Sequence, residues 1–403
     1  SDGDELTDGD EVLTHGSNPL LADTDGDGYK DGIEVAFGYD PNDPESTPTV
    51  PTLDDLLISE FMADNNDTLT DSDGDTPDWI ELWNPTSSPI SLAGHYLTDN
   101  QQVPNKWALP AITLQPDDYV IIFASGKDRF GPGNQWHTDF QLDKSENSHL
   151  SLTRENGEGK FITVSAFNLY PRQFEDVSFG VYGNESPLSV GFFPAPTPNF
   201  ANSSSAFDGF VDDTKFTVNR GLYTNSFTTT ITSTTPGATL IYTLDGTEPS
   251  STNGKRVSAD DNLSIPSADI EVTKTTTIRA MAIKSGFQPT NIDTHTYIFP
   301  ANVLQQSSDS VPAHANWGHA GPDYAMDPEI VNHSNPEIRP TPEDFLRVPT
   351  ISLVMDWNLM FGNGGIYISG EGVDKPTSIE FINPDGDISN PNSKRGFQVD
   401  GTV

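Results

Sequence analysis

Residues 23–34 read Asp-Thr-Asp-Gly-Asp-Gly-Tyr-Lys-Asp-Gly-Ile-Glu. Carboxylates fall at loop positions one, three, five, nine and twelve, as Asp23, Asp25, Asp27, Asp31 and Glu34. Gly28 at position six permits a sharp turn, and Tyr29 at position seven offers its backbone carbonyl. Alternate side chains of a tight loop converge on one point, and Ca²⁺ takes six to eight hard oxygens at about 2.3–2.6 Å. The spacing therefore predicts a calcium loop closed by a bidentate Glu34. An earlier copy runs through Asp2, Asp4, Leu6, Asp8 and Glu11. Its first position precedes Ser1, and Glu5 stands where the turn glycine belongs. Without a cation these crowded carboxylates repel one another and keep the segment unfolded. Binding then supplies folding energy, about 2.7 kcal/mol at a hundred times Kd.

Other constellations carry less. Asp71, Asp73 and Asp75 suggest a third cation loop, but Leu82 occupies the position where a closing Glu is needed. Asp78 and Glu81 resemble the paired carboxylates of a glycosidase. Three residues apart on a strand they project to opposite faces, so a structural role is expected. Asp245-Gly246 reads as a strand-ending turn. Gly362-Asn363-Gly364-Gly365 reads as a turn before a strand, and no phosphate-binding glycine loop leading into a helix is found. His314, His319 and His333 are too loosely spaced for a convincing transition-metal site and fall in an expected linker.

Charge restricts the partners. The 403 residues hold 60 Asp and Glu against 20 Lys and Arg, a net charge of −40. Such a polyanion repels phosphate backbones and anionic membrane surfaces, which excludes nucleic-acid binding as the main role. It attracts multivalent cations, and it suits a saline habitat. There is no cysteine, so disulfides, thiolate metal sites and thiol nucleophiles are ruled out. No apolar run approaches the ~18 residues of a membrane span.

The acidity is uneven: residues 1–50 carry 14 acidic residues and one basic, whereas 207–299 carry ten and seven. Pro-rich joints at 44–51, 193–198 and 328–349 separate modules. Between them the dominant period is two, as in Tyr119-Val120-Ile121-Ile122-Phe123 and Phe227-Thr228-Thr229-Thr230-Ile231-Thr232. No long amphipathic helix is found. The predicted fold class is all-β: calcium-loop repeats, then two antiparallel sandwiches and a truncated C-terminal segment.

Four resemblances refine this division. The two loops of residues 1–50 resemble bacterial thrombospondin type 3 repeats, which implies that calcium replaces a hydrophobic core and that the helix pair of an EF-hand is absent. Residues 53–183, with Asp78-Trp79-Ile80-Glu81-Leu82-Trp83-Asn84 and Phe123-Ala124-Ser125-Gly126-Lys127-Asp128-Arg129, resemble a lamin tail domain, an immunoglobulin-like sandwich. After a linker at 184–206, residues 207–299 resemble the fibronectin-III-like chitobiase/β-hexosaminidase C-terminal domain, through Pro236-Gly237-Ala238-Thr239-Leu240-Ile241-Tyr242-Thr243-Leu244-Asp245-Gly246. The catalytic barrel that accompanies this domain in hexosaminidases has no counterpart here. A second linker at 300–346 leads to 347–403, which resemble the opening of a CotH kinase-like domain.

Together these imply an extracellular or cell-surface bacterial scaffold, non-catalytic within this stretch, that binds Ca²⁺ and contacts protein or polysaccharide. One alternative is an accessory region of a CotH-like kinase whose catalytic part lies beyond residue 403. Another is a carbohydrate-binding array using Trp79, Trp83, Trp107 or Trp136.

Overall fold

The computed structural model describes residues 2, 4, 6, 8–27, 29–36, 39–44, 52–131, 135–186, 188–202, 206–307, 324–369, 374–384 and 396–402. Strands dominate, as the period-two runs predict. The chain divides into two compact units, residues 1–209 and 210–403.

The centre of the first unit is a pair of sheets. The larger runs in the order Ser189–Phe193, Ser178–Tyr182, Leu57–Met62, Asp78–Trp83, Tyr119–Ala124, Gln135–His137, Arg129–Gly131. The smaller runs Phe161–Tyr170, Ser148–Glu155, His95–Thr98, Trp107–Ala108. Aromatic side chains join the two: Phe61 of the larger sheet lies 5.2 Å from Phe167 and 4.9 Å from Tyr170 of the smaller. Both faces of the Leu57–Met62 strand are buried. Phe61 therefore points into the sandwich and its neighbour Glu60 points to the other side of the sheet. Residues 184–206 are more than a linker. Val190, Phe192 and Phe193 give the segment a strand pattern, and Ser189–Phe193 pairs along its length with Ser178–Tyr182.

In the second unit, Lys215–Phe216, Phe227–Thr232 and Ser267–Val272 form one sheet. Gly221–Leu222, Asp293–Ile298, Thr276–Ile283, Thr239–Thr243 and Lys255–Ser258 form the other. Ile231, Leu240, Tyr242, Ile270, Ile278 and Tyr297 share the core. Asp245 behaves as its turn role requires. Its carboxylate accepts from the Thr247 amide at 3.1 Å and hydroxyl at 2.6 Å, and Gly246 has φ +80°.

The C-terminal residues complete this unit. Thr350–Val354, Pro376–Ile382 and Gly396–Thr402 make an antiparallel sheet. Its side chains satisfy amides of the Asp293–Ile298 strand, whose outer neighbour pairs only with Tyr297 and Ile298. Gln398 Oε1 accepts from the Thr294 amide at 2.6 Å, and Glu380 Oε1 from the Thr296 amide at 3.0 Å. Arg220 stands 3.5 Å from the buried Glu380 carboxylate. Two side chains thus do the work of a missing strand at that edge. The glycines at 362–365 lead into a four-residue helix, Ile366–Ser369, and not into the expected strand. Gly365 makes the difference: its amide and that of Ser369 close successive tight turns on Gly362 and Gly365 carbonyls, at 2.8 and 2.9 Å.

Because Phe61 bridges both sheets at zero exposure, Phe61→Ala is expected to cost the first unit about 3–5 kcal/mol. Thermal denaturation would show this as a lowered first transition, with the transition of residues 210–403 unmoved.

Candidate metal centre

Each acidic loop turns on its own aspartates. In the second, Asp23 Oδ1 accepts from the Gly26 amide at 2.7 Å, Asp25 Oδ1 from Asp27 at 3.1 Å, and Asp27 Oδ1 from Tyr29 at 2.8 Å. In the first, Asp4 Oδ1 accepts from Leu6 at 3.0 Å, the equivalent of the Asp27–Tyr29 turn. Short helices follow, Asp8–Asp10 running into Glu11–His15, and Asp31–Ala36. They place Glu11 and Glu34 back over their loops. Each loop thus runs on into a short helix that the sequence pattern did not single out. Gly28 lies outside the described residues.

The carboxylates converge. Ligand oxygens of Asp2, Asp4 and Glu11 lie within 4.8 Å of one another, and so do those of Asp23, Asp25 and Asp27. Two oxygens bound on opposite sides of one calcium at about 2.4 Å stand about 4.8 Å apart. Glu11 and Glu34 are fully buried. Among the described residues, eight buried carboxylate oxygens have no hydrogen-bond donor: both of Asp2, both of Glu11, Asp25 Oδ2, Asp27 Oδ2, and both of Glu34. A buried acceptor without a donor is costly, and native structures hold few. The donor set is oxygen alone, which suits a hard cation over zinc or copper. Burial and then the charges of Asp27 and Asp25 push the Glu34 carboxyl up to about 8. Burial and neighbouring carboxylates likewise raise Glu11 and Asp25. The residues present thus fit a calcium ion, whose positive charge would oppose each of these shifts.

Three expected side-chain ligands lie outside these two convergent sets, and one of them, Glu34, is near enough to feel the charges of Asp27 and Asp25. Asp8 is exposed. Asp31 is buried, but its two oxygens accept from the Thr24 amide and hydroxyl, both at 2.6 Å. Position nine therefore braces the loop entry in the second repeat and joins neither convergent set. Of Leu6 and Tyr29, the amides are held by Asp4 and Asp27. The repeats also dock on each other: Asp4 Oδ2 accepts from the Gly32 amide at 3.2 Å. A side chain at Gly32 would meet the Asp4 carbonyl oxygen at 2.2 Å, so glycine is required there.

The third acidic loop is different. Lys127 Nζ donates to Asp71, and to Asp73 and Asp75 at 2.8 Å each, while Arg129 pairs with Asp73. An ammonium of the chain's own occupies the point a metal would take. These contacts pull the carboxylic acids of Asp71 and Asp73 below the usual range and raise Lys127. Sequence reading missed this pairing, since Lys127 lies over fifty residues from the loop. The nearest signal was a Lys and an Arg two apart in an otherwise acidic chain.

Asp78 and Glu81 are structural, as their opposite facing implies. Asp78 accepts from the Asn65 and Leu142 backbones, and burial lifts it to about 6. Glu81 accepts from Ser59 Oγ at 2.7 Å. Of the expected surface tryptophans, Trp79 is wholly buried and Trp83 stacks on Tyr119 at 5.7 Å. Trp107 and Trp136, with the exposed Phe130, line an open cleft of about 520 Å³ beside Arg129. His314 and His319 lie outside the described residues, and His333 Nδ1 accepts from the Asn335 amide at 3.0 Å.

Comparison with known proteins agrees with this architecture. It is a modular, mostly β chain with acidic repeats at its N-terminal end. The Bacterial TSP3 repeat family matches residues 1–22 and 23–44, the Lamin Tail Domain family residues 49–166, and the Chitobiase/beta-hexosaminidase C-terminal domain family residues 218–294. The chain carries all three kinds of module, a set typical of extracellular bacterial proteins. No curated protein matches. Among solved structures, a chain described as the BSP domain of a biofilm associated protein is similar at 13% identity and a TM-score of 0.16. The match covers 74% of this chain and 37% of that one. Among the described residues, no helix is long and apolar enough to cross a membrane.

Lys127→Met leaves the buried Asp71 without its cation, at an expected cost of about 1–3 kcal/mol to the first sandwich. Millimolar calcium should recover part of the lost melting temperature in this variant and do nothing for that sandwich in the parent chain. Equal melting of variant and parent would contradict the assignment.

Proposed function

We propose that this chain is a non-catalytic extracellular spacer of a bacterial surface or secreted protein, in which calcium builds the N-terminal repeats and the β-sandwiches carry the contacts. The eight buried, donorless carboxylate oxygens are the observation that carries this reading. Asp2, Asp4 and Glu11 would hold one ion, and Asp23, Asp25, Asp27 and Glu34 another. Calcium supplies positive charge at the centre of each loop. The residues do the rest: Asx turns fix the loops, the exit helices return Glu11 and Glu34, and Gly32 lets the repeats touch. Each loop becomes rigid only when its repulsion is neutralised, so calcium concentration sets the stiffness of residues 2–44.

A second reading concerns what the first sandwich holds. Phe130 is 61% exposed and lies 5.5 Å from Trp136 at 39°, and Trp107 faces the same cleft. Exposed aromatic faces with a few polar groups suit the apolar faces of sugar rings. The −40 charge selects against acidic glycans and for neutral ones.

Calorimetric titration of calcium into the chelator-stripped full chain tests the first reading. Saturable binding is expected, with a clear loss in Asp25→Ala/Glu34→Ala; no heat up to millimolar calcium would overturn it. For the second, neutral oligosaccharides on an array should be retained by the parent chain and lost in Trp107→Ala/Phe130→Ala. Retention by the double variant would remove the cleft from consideration.

A further inference from the structure

Glu60 and Glu81 are direct partners in the register of adjacent strands. Residues so placed project to one face with Cβ atoms about 4.5–5.5 Å apart. Both glutamates are fully buried. Among the described residues neither makes an ion pair with Lys, Arg or His. Their donors come mostly from one segment. Glu60 accepts from the Thr197 amide at 3.2 and 3.3 Å, from the Thr197 hydroxyl at 3.2 Å, and from the Ser178 hydroxyl. Glu81 accepts from the Ser59 hydroxyl and from the Asn199 amide. Asn202 Nδ2 donates to the carbonyls of Ser59 and Val181, at 2.8 Å each. The segment so held is Thr197-Pro198-Asn199-Phe200-Ala201-Asn202, with Asn199 in a left-handed conformation at φ 68°. Its close approach needs Gly180, where a side chain would meet Ser59 O at 2.2 Å and Asn202 Nδ2 at 3.1 Å.

We propose that Glu60 and Glu81 are a proton-dependent latch that holds residues 197–202 on the first sandwich and loosens as the pair ionises. Two buried carboxylates on one face, without a cation, keep a proton because ionising both in an apolar site is costly. The covering segment brings no charged residue. From the strand on the other side of Glu81 comes Tyr119, which burial and the Glu81 charge push up to about 12, so it stays neutral. Burial, together with Glu60, pushes Glu81 up to about 8, and burial raises Glu60 as well. With the segment lifted off and water admitted, Glu81 returns toward about 4.3. The docked form therefore binds the proton more tightly than the open form. Its stability is full below about pH 4.3, falls as pH rises through the interval to about 8, and levels above that.

Hydrogen exchange read at the Thr197 and Asn199 amides, corrected for intrinsic rates and run with saturating calcium, tests this. Protection should fall by roughly 100-fold between pH 5 and 8 and then level, while amides of the Ser178–Tyr182 strand hold theirs. In Glu81→Gln, which keeps an acceptor oxygen and leaves only Glu60 to ionise, the fall at the same amides should be clearly smaller. A flat profile in the parent chain, or the same fall in Glu81→Gln, would overturn the latch. Side-chain carboxyl NMR of the parent chain gives an independent check that needs no variant. A Glu81 midpoint well above 6 is expected, and one near 4.3 would overturn the proposal.

Discussion

Carboxylates packed against one another must be neutralised before the backbone around them can settle, and this chain meets that constraint in three places. At Asp71, Asp73 and Asp75 the neutralising charge is the Lys127 ammonium, carried in from the connection between Tyr119–Ala124 and Arg129–Gly131. At Glu60 and Glu81, on the proposed reading, it is a proton. At the two N-terminal loops there is one Lys among the 14 acidic residues of 1–50, far too few cations for the carboxylates present. Calcium is the proposed answer there.

The three solutions respond to different conditions. An internal ammonium is tethered, so the first sandwich keeps that loop closed whatever the ion content outside. A metal is exchangeable, and the N-terminal repeats would follow its concentration. A shared proton follows pH. Elsewhere the architecture depends less on charge: aromatic contacts such as Phe61 with Phe167 close the first sandwich, and an aliphatic and tyrosine core closes the second. The half-buried Arg220 and the buried Glu380 side chains fasten the C-terminal sheet to its edge by direct ion pairing.

Local patterns were legible in the sequence. Loop spacing pointed to the convergence of Asp23, Asp25 and Asp27, period-two runs located the main strands, and Asp245-Gly246 was recognisable as a turn. Each of these is decided by residues within a dozen positions. What escaped was decided by register and distance. Whether a carboxylate meets an ammonium or another carboxylate depends on which strands lie side by side, and nothing local announces that Lys127 reaches Asp71 or that Glu60 faces Glu81. Residues 184–206 misled because their prolines mark a linker, while Val190, Phe192 and Phe193 between those prolines pair as a strand. Asp31 is a subtler case. Position nine can reach a metal or brace the loop, and Thr24 at position two supplies two donors that favour the brace.

The dependence of residues 2–44 on a cation is tested most directly by hydrogen exchange of the full chain with calcium and with chelator. Calcium-built repeats predict strong protection of the Leu6, Thr24, Tyr29 and Gly32 amides with calcium, and near-complete loss of it in chelator, while strands of both sandwiches stay protected throughout. Equal protection of those four amides in both conditions would contradict the central claim.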